Sequence, residues 1–123
     1  MNIHESGENY LETILLLEMH NGTVHAVDIA NALGFSKPSV TRAMSVLKKA
    51  GYVDQESYGT IRLTEAGRKR ANEVYDRHIL IKQFLMTILS LDTETAEADA
   101  CRIEHIVSER TIERMRAVLQ EKK

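Results

Sequence analysis

Apolar residues recur with a helical period along most of this chain. Tyr10, Leu11, Ile14, Leu15 and Leu17 form one stripe, which predicts a first helix from a Ser6 cap through about Met19, ended by Asn21-Gly22. Val27 to Leu33 predicts a short helix with Gly34 as its stop. Val40, Ala43, Met44 and Leu47 fall at i, i+3, i+4 and i+7 of a third helix, from Lys37 to about Ala50. Ser36 is its expected N-cap, Pro38 sits in its first turn, where a missing N–H costs nothing, and Gly51 closes it.

Tyr52-Val53 and Thr60 to Leu63 read as two short strands around a turn at Tyr58-Gly59. Thr64 caps one long helix from Glu65 to about Ser90, with Val74, Leu80, Ile81, Phe84, Leu85 and Ile88 on its apolar face. Asp92-Thr93 starts a further helix, expected to run through Cys101 to about Val107. Ser108 caps a last one, Thr111 to Glu121, with Ile112, Met115, Val118 and Leu119 along one side.

Two helices across a tight Gly-containing turn, followed by a hairpin, predict a winged helix-turn-helix. The expected fold is mainly α: a winged helix-turn-helix over residues 1–70, then a helical unit over residues 71–123. A helical unit of roughly 50 residues is small for an independent core. Its apolar face is therefore expected to bury against a second copy, giving a homodimer.

Net charge is −2, which does not by itself suggest nucleic acid. The distribution does: Phe35 to Arg70 carries eight basic and three acidic side chains, net +5, leaving −7 for the remainder. Lys37, Lys48, Lys49 and Arg62 are candidates for phosphate contacts. Ser39, Thr41 and Arg42, near the start of the third helix, are candidates for base reading. Ser36, Pro38 and Ser45 complete the expected DNA-facing set. The competing use of such a module is protein contact alone.

A single cysteine cannot form an internal disulfide, and no signal peptide or transmembrane run is evident, so a cytoplasmic location without membrane contact is expected. The same cysteine begins Cys101-Arg102-Ile103-Glu104-His105. On a helix, positions 101, 104 and 105 share one face, joining a thiol, a carboxylate and an imidazole. That mixture suits a first-row transition ion better than Mg(II) or Ca(II). Glu12 and His78, with Asn9 as a weaker addition, are the other donors in the chain that stand out.

These pieces resemble the diphtheria-toxin-repressor family of metal-dependent transcriptional regulators, which includes the manganese-transport regulators. The resemblance runs from about Glu5 to Val118. It is carried by Glu8-Asn9-Tyr10-Leu11-Glu12, the stretch from Asp28-Ile29-Ala30 to Val40-Thr41, Arg77-His78 and Ala100 to His105. It implies a dimeric repressor of metal-uptake genes that binds double-stranded operator DNA when loaded with Mn(II) or Fe(II), without a small-molecule substrate. It implies Asn9, Glu12, His78, Cys101, Glu104 and His105 as the metal ligands. Cys101 is similar to the iron branch, whereas Glu12 and the short length are similar to the manganese branch. Lys82 stands where the iron branch has a Glu belonging to a second site. A thiolate favours Fe(II), Co(II), Ni(II) or Zn(II) over Mn(II), so Zn(II) and Co(II) are expected to bind in vitro.

A metal-independent regulator, sensing a small molecule or redox state through Cys101, is the alternative. An enzyme is not expected. The chain has no Gly-rich phosphate loop, no nucleophile elbow and no motif-placed acid or base.

Overall fold

A computed structural model describes residues 5–56 and 59–122. Its elements are α1 (Glu5–Asn21), α2 (Ala26–Leu33), α3 (Lys37–Lys49), β1 (Val53–Gln55), β2 (Ile61–Leu63), α4 (Glu65–Thr87), α5 (Thr93–Ile103) and α6 (Glu109–Glu121). The chain divides into two compact units, Met1–Asn72 and Glu73–Lys123, and α4 starts in the first and continues into the second.

In the first unit, Leu11 and Ile14 of α1, Ile29 of α2, Val40 and Leu47 of α3, and Val53 and Ile61 of the hairpin are all buried. The apolar stripes expected on α1 and α3 are thus the faces that make this core. Gly34 ends α2 in the left-handed region at φ 70, with its N–H on the Ala30 carbonyl, a conformation that costs glycine nothing. Ser36 caps α3, its Oγ accepting from the Ser39 N–H at 3.3 Å.

β1 and β2 pair antiparallel with Val53 opposite Leu63, Asp54 opposite Arg62 and Gln55 opposite Ile61. The alternation puts Val53, Ile61 and Leu63 inward and Asp54 and Arg62 outward. The first strand lies slightly later than expected, and Tyr58 of the expected turn falls outside the described residues. Two ion pairs hold the start of α4 to α1: Arg68 Nη2 to Glu18 Oε1, and Arg70 Nη2 to Glu8 Oε2, each 2.8 Å.

In the second unit, Ile81 and Leu85 of α4, Ala96 and Ala100 of α5 and Ile112 of α6 form a small buried cluster. Leu80, Phe84, Leu91, Ile103, Val107 and Met115 pack around it. Asp92 caps α5 and Ser108 caps α6, as expected.

Several boundaries differ from expectation. Ser6 lies inside α1 and does not cap it. α4 ends at Thr87, not Ser90, because Ser90 adopts a left-handed φ of 58 and the Leu91 N–H returns to the Leu85 carbonyl at 3.1 Å. α5 ends at Ile103, not Val107, since the Ile106 and Val107 N–H groups both turn back onto the Ile103 carbonyl at 3.0 Å. α6 begins at Glu109, directly after its cap.

Candidate metal centre and nucleic-acid interface

His78 is the hub of the second unit's polar residues. It lies on α4, its side chain 8% exposed, with a carboxylate at each ring nitrogen. Nε2 is 2.6 Å from Glu97 Oε2, and Nδ1 is 2.8 Å from Glu104 Oε2. Glu97 is on α5, one helical turn before Cys101, and the Cys101 Sγ lies 3.7 Å from Glu97 Oε2. Ligand atoms of His78, Glu97 and Cys101 all lie within 4.8 Å of one another. Burial opposes ionisation of Glu97, but a hydrogen bond from Lys82 and the charges of His78 and Lys82 outweigh it, holding the carboxyl below its usual range.

α5 ends between Cys101 and His105. Glu104 is the C-cap of α5, its N–H on the Ala100 carbonyl, and His105 is in the turn beyond. Cys101 lies with Glu97 and His78, and Glu104 is fully buried between His78 Nδ1 and His105 Nε2, the latter 3.3 Å from its Oε1. Cys101 itself is exposed. Glu97 was not among the expected donors. Its signal was available as a carboxylate at i−4 of Cys101, the same helical face read in the other direction.

Asn9 and Glu12 lie on α1 in the first unit, Glu12 buried and Asn9 half-buried. The Asn9 carbonyl accepts from Thr13 Oγ1 at 2.8 Å.

The expected DNA-facing residues are mostly exposed. Ser36, Lys37, Pro38, Thr41, Arg42, Ser45 and Lys48 are exposed, as is Arg62 on β2, and Ser39 is half-buried. Ser39 Oγ accepts from Ser36 Oγ at 2.9 Å and from Arg42 Nη2 at 3.3 Å, so the cap of α3 and its first Arg form one hydrogen-bonded chain. No acidic side chain lies on α3, so nothing on this helix repels a phosphate backbone. Arg62 is 3.4 Å from Glu56 across the wing, an exposed pair that contributes little to stability.

A winged helix-turn-helix followed by a helical unit rich in thiol, carboxylate and imidazole donors defines a class of two-unit, metal-responsive DNA-binding regulators. The family model for the N-terminal DNA-binding domain of iron-dependent repressors matches residues 2–61, and the model for their metal-binding and dimerisation domain matches residues 64–123. The chain belongs to the iron-dependent repressor family, a family of transcriptional regulators and not of enzymes.

An uncharacterised HTH-type transcriptional regulator of Methanocaldococcus jannaschii is 36% identical over 117 residues, 94% of each chain. The HTH-type transcriptional regulator MntR of Bacillus subtilis is 36% identical over 115 residues, 94% of this chain and 80% of its own. A solved manganese-dependent transcriptional repressor in complex with manganese is 28% identical with a TM-score of 0.86, covering 93% of this chain and 52% of that one. The chain spans about half the length of that structure and of the solved manganese regulator SloR, of which it covers 55%. Among the described residues, no helix is long and apolar enough to cross a membrane.

Proposed function

We propose that this chain is a metal-activated repressor of metal-uptake genes, binding double-stranded operator DNA as a homodimer when loaded with Mn(II) or Fe(II). The observation that carries this reading is the convergence of His78, Glu97 and Cys101, in a chain whose first unit bears an exposed, cation-bearing recognition helix. Imidazole, carboxylate and thiolate within 4.8 Å are a donor set that fits a first-row divalent ion.

When bound, such an ion supplies the positive charge that lets these carboxylates and a thiolate sit together. His78 is oriented for the role by Glu104 on Nδ1, which leaves Nε2 directed at the cluster. Cys101 must lose its proton and His78 must present a neutral nitrogen, so loading releases protons. The family resemblance adds Asn9 and Glu12 of α1, with Glu104 and His105, to the ligand set. An ion whose binding favours the operator-competent form of the dimer makes metal binding and DNA binding thermodynamically linked. A linkage of about 1–3 kcal/mol gives roughly 5–150-fold tighter operator binding. The two recognition helices of a dimer would then meet half-sites about 34–36 Å apart.

Dimerisation through the second unit is supported by its small core and by Met86, Leu89 and Ile106, large apolar side chains left exposed there. Operator binding by fluorescence anisotropy, without oxygen, tests the reading. The chain is measured in EDTA and then with Mn(II), Fe(II), Co(II) and Zn(II). Tight binding only with metal is expected, and equal affinity in every condition would overturn the proposal.

A further inference from the structure

The donor cluster of the second unit contains a resident cation. Lys82 lies one turn after His78 on α4, and its Nζ donates to Glu97 Oε1 at 2.9 Å. The other oxygen of the same carboxylate, Oε2, faces His78 Nε2 at 2.6 Å and Cys101 Sγ at 3.7 Å. Glu97 is therefore divided: one oxygen serves an ammonium and one serves the imidazole and thiol. The ammonium bond is charge-assisted and partly shielded, with the Lys82 side chain 28% exposed.

We propose that Lys82 is a specificity-determining residue, which by holding Glu97 Oε1 leaves only Oε2 for a divalent ion and so biases the site against Mn(II). The inference rests on the metal-binding reading above. A carboxylate free at both oxygens can bind through both and raise the coordination number, which suits ions that favour many oxygen ligands. One restricted to a single oxygen, beside a thiolate and an imidazole, suits Zn(II), Co(II) or Fe(II), which accept few and softer ligands. Lys82 also brings a fixed positive charge, which weakens binding of every divalent ion alike. Charge changes all affinities by a common factor. Restriction of Glu97 changes their ratio, so the two effects are separable.

The experiment measures Mn(II) and Co(II) affinities by competition with a chromophoric chelator, on reduced full-length protein without oxygen. Three proteins are compared: the natural chain, Lys82→Met and Lys82→Arg. Lys82→Met is expected to raise the Mn(II)-to-Co(II) affinity ratio by about tenfold, the size of effect that partners of metal ligands exert. The visible d–d absorption of bound Co(II) should weaken as the coordination number rises. Lys82→Arg keeps a cation on Glu97 and is expected to keep both the natural ratio and the natural spectrum. Equal changes for both ions in Lys82→Met, with an unaltered Co(II) spectrum, would overturn the role of Lys82 while leaving the metal site standing. Failure of the natural chain to bind either ion would overturn the site itself.

Discussion

Replacing Gly67 by Ala pits two opposed effects against each other. Gly67 lies in the first turn of α4, where Ala is the better helix former by about 1 kcal/mol. On propensity alone the change stabilises. A Cβ at this position, however, falls 1.9 Å from the Tyr52 carbonyl oxygen and 2.9 Å from its carbon. Real Cβ contacts essentially never fall below 3.0 Å, so the backbones must separate by at least about 1.1 Å.

The obstacle to a methyl group at position 67 is main chain, not the end of a flexible side chain. The Tyr52 carbonyl already accepts the Thr64 N–H at 3.0 Å, and Thr64 Oγ1 caps α4 by accepting from the Gly67 N–H at 3.0 Å. Overpacking costs about 1–3 kcal/mol, and disturbing one such hydrogen bond costs about 1 kcal/mol more. The net expectation is a loss of about 2 kcal/mol, or a fall of roughly 6–10 °C in Tm for a chain of this size. Thermal unfolding followed by circular dichroism measures it. Because Tyr52 joins α3 to the wing, operator affinity should fall in the same variant at temperatures where it remains folded. An unchanged or higher Tm would mean that α4 does not pack on Tyr52 in this way.

Other perturbations separate the parts of the molecule. Thr95 donates to the Asp92 carboxylate from Oγ1 at 2.7 Å and from N–H at 3.0 Å, holding this carboxyl below its ordinary value. A depressed folded pKa contributes stability above the unfolded value of about 3.9 and loses it as pH falls through the folded one. Asp92→Asn, which can still cap, should therefore flatten the pH dependence of Tm below about pH 4, and an identical acid limb would contradict this. Cys101→Ser should lower Zn(II) and Co(II) affinity by more than about tenfold while affecting Mn(II) less, and an unchanged Zn(II)-to-Mn(II) ratio would remove Cys101 from the site. Arg42→Ala should cost about 1–3 kcal/mol of operator binding and relax base preference at one position, whereas Lys48→Ala should weaken all sequences alike and reduce the salt slope by about 1. Indistinguishable effects in a binding-site selection would reject the division between base reading and phosphate contact.

The elements easiest to read from sequence were those with chemical punctuation. Ser36 before α3 and Gly34 after α2 mark ends that the backbone then adopts, because each residue type supplies what that terminus needs. The end of α5 carried no such mark. From Glu104 to Val107 there is neither Gly nor Pro, and the helical stripe continues. The chain turns there because Ile103 and Val107 pack on the second unit's core and Ser108 starts α6, which is tertiary information. At the site, the face was read only forward from Cys101, which left out Glu97 at i−4 of the same helix. Glu97 lies beside Cys101 and His78. Ser90 misled in a related way, since a left-handed residue that is not Gly gives no signal for the end of α4.

Coupling between metal and operator is tested most directly by measuring it in both directions. Linkage requires that DNA tighten metal binding by the same factor by which metal tightens DNA binding. Isothermal titration with Mn(II) or Co(II), on protein alone and on protein saturated with operator, should show affinity raised about 5–150-fold by the DNA, matching the anisotropy result. Equal metal affinity with and without operator would contradict metal activation, even if the ion binds tightly at His78, Glu97 and Cys101.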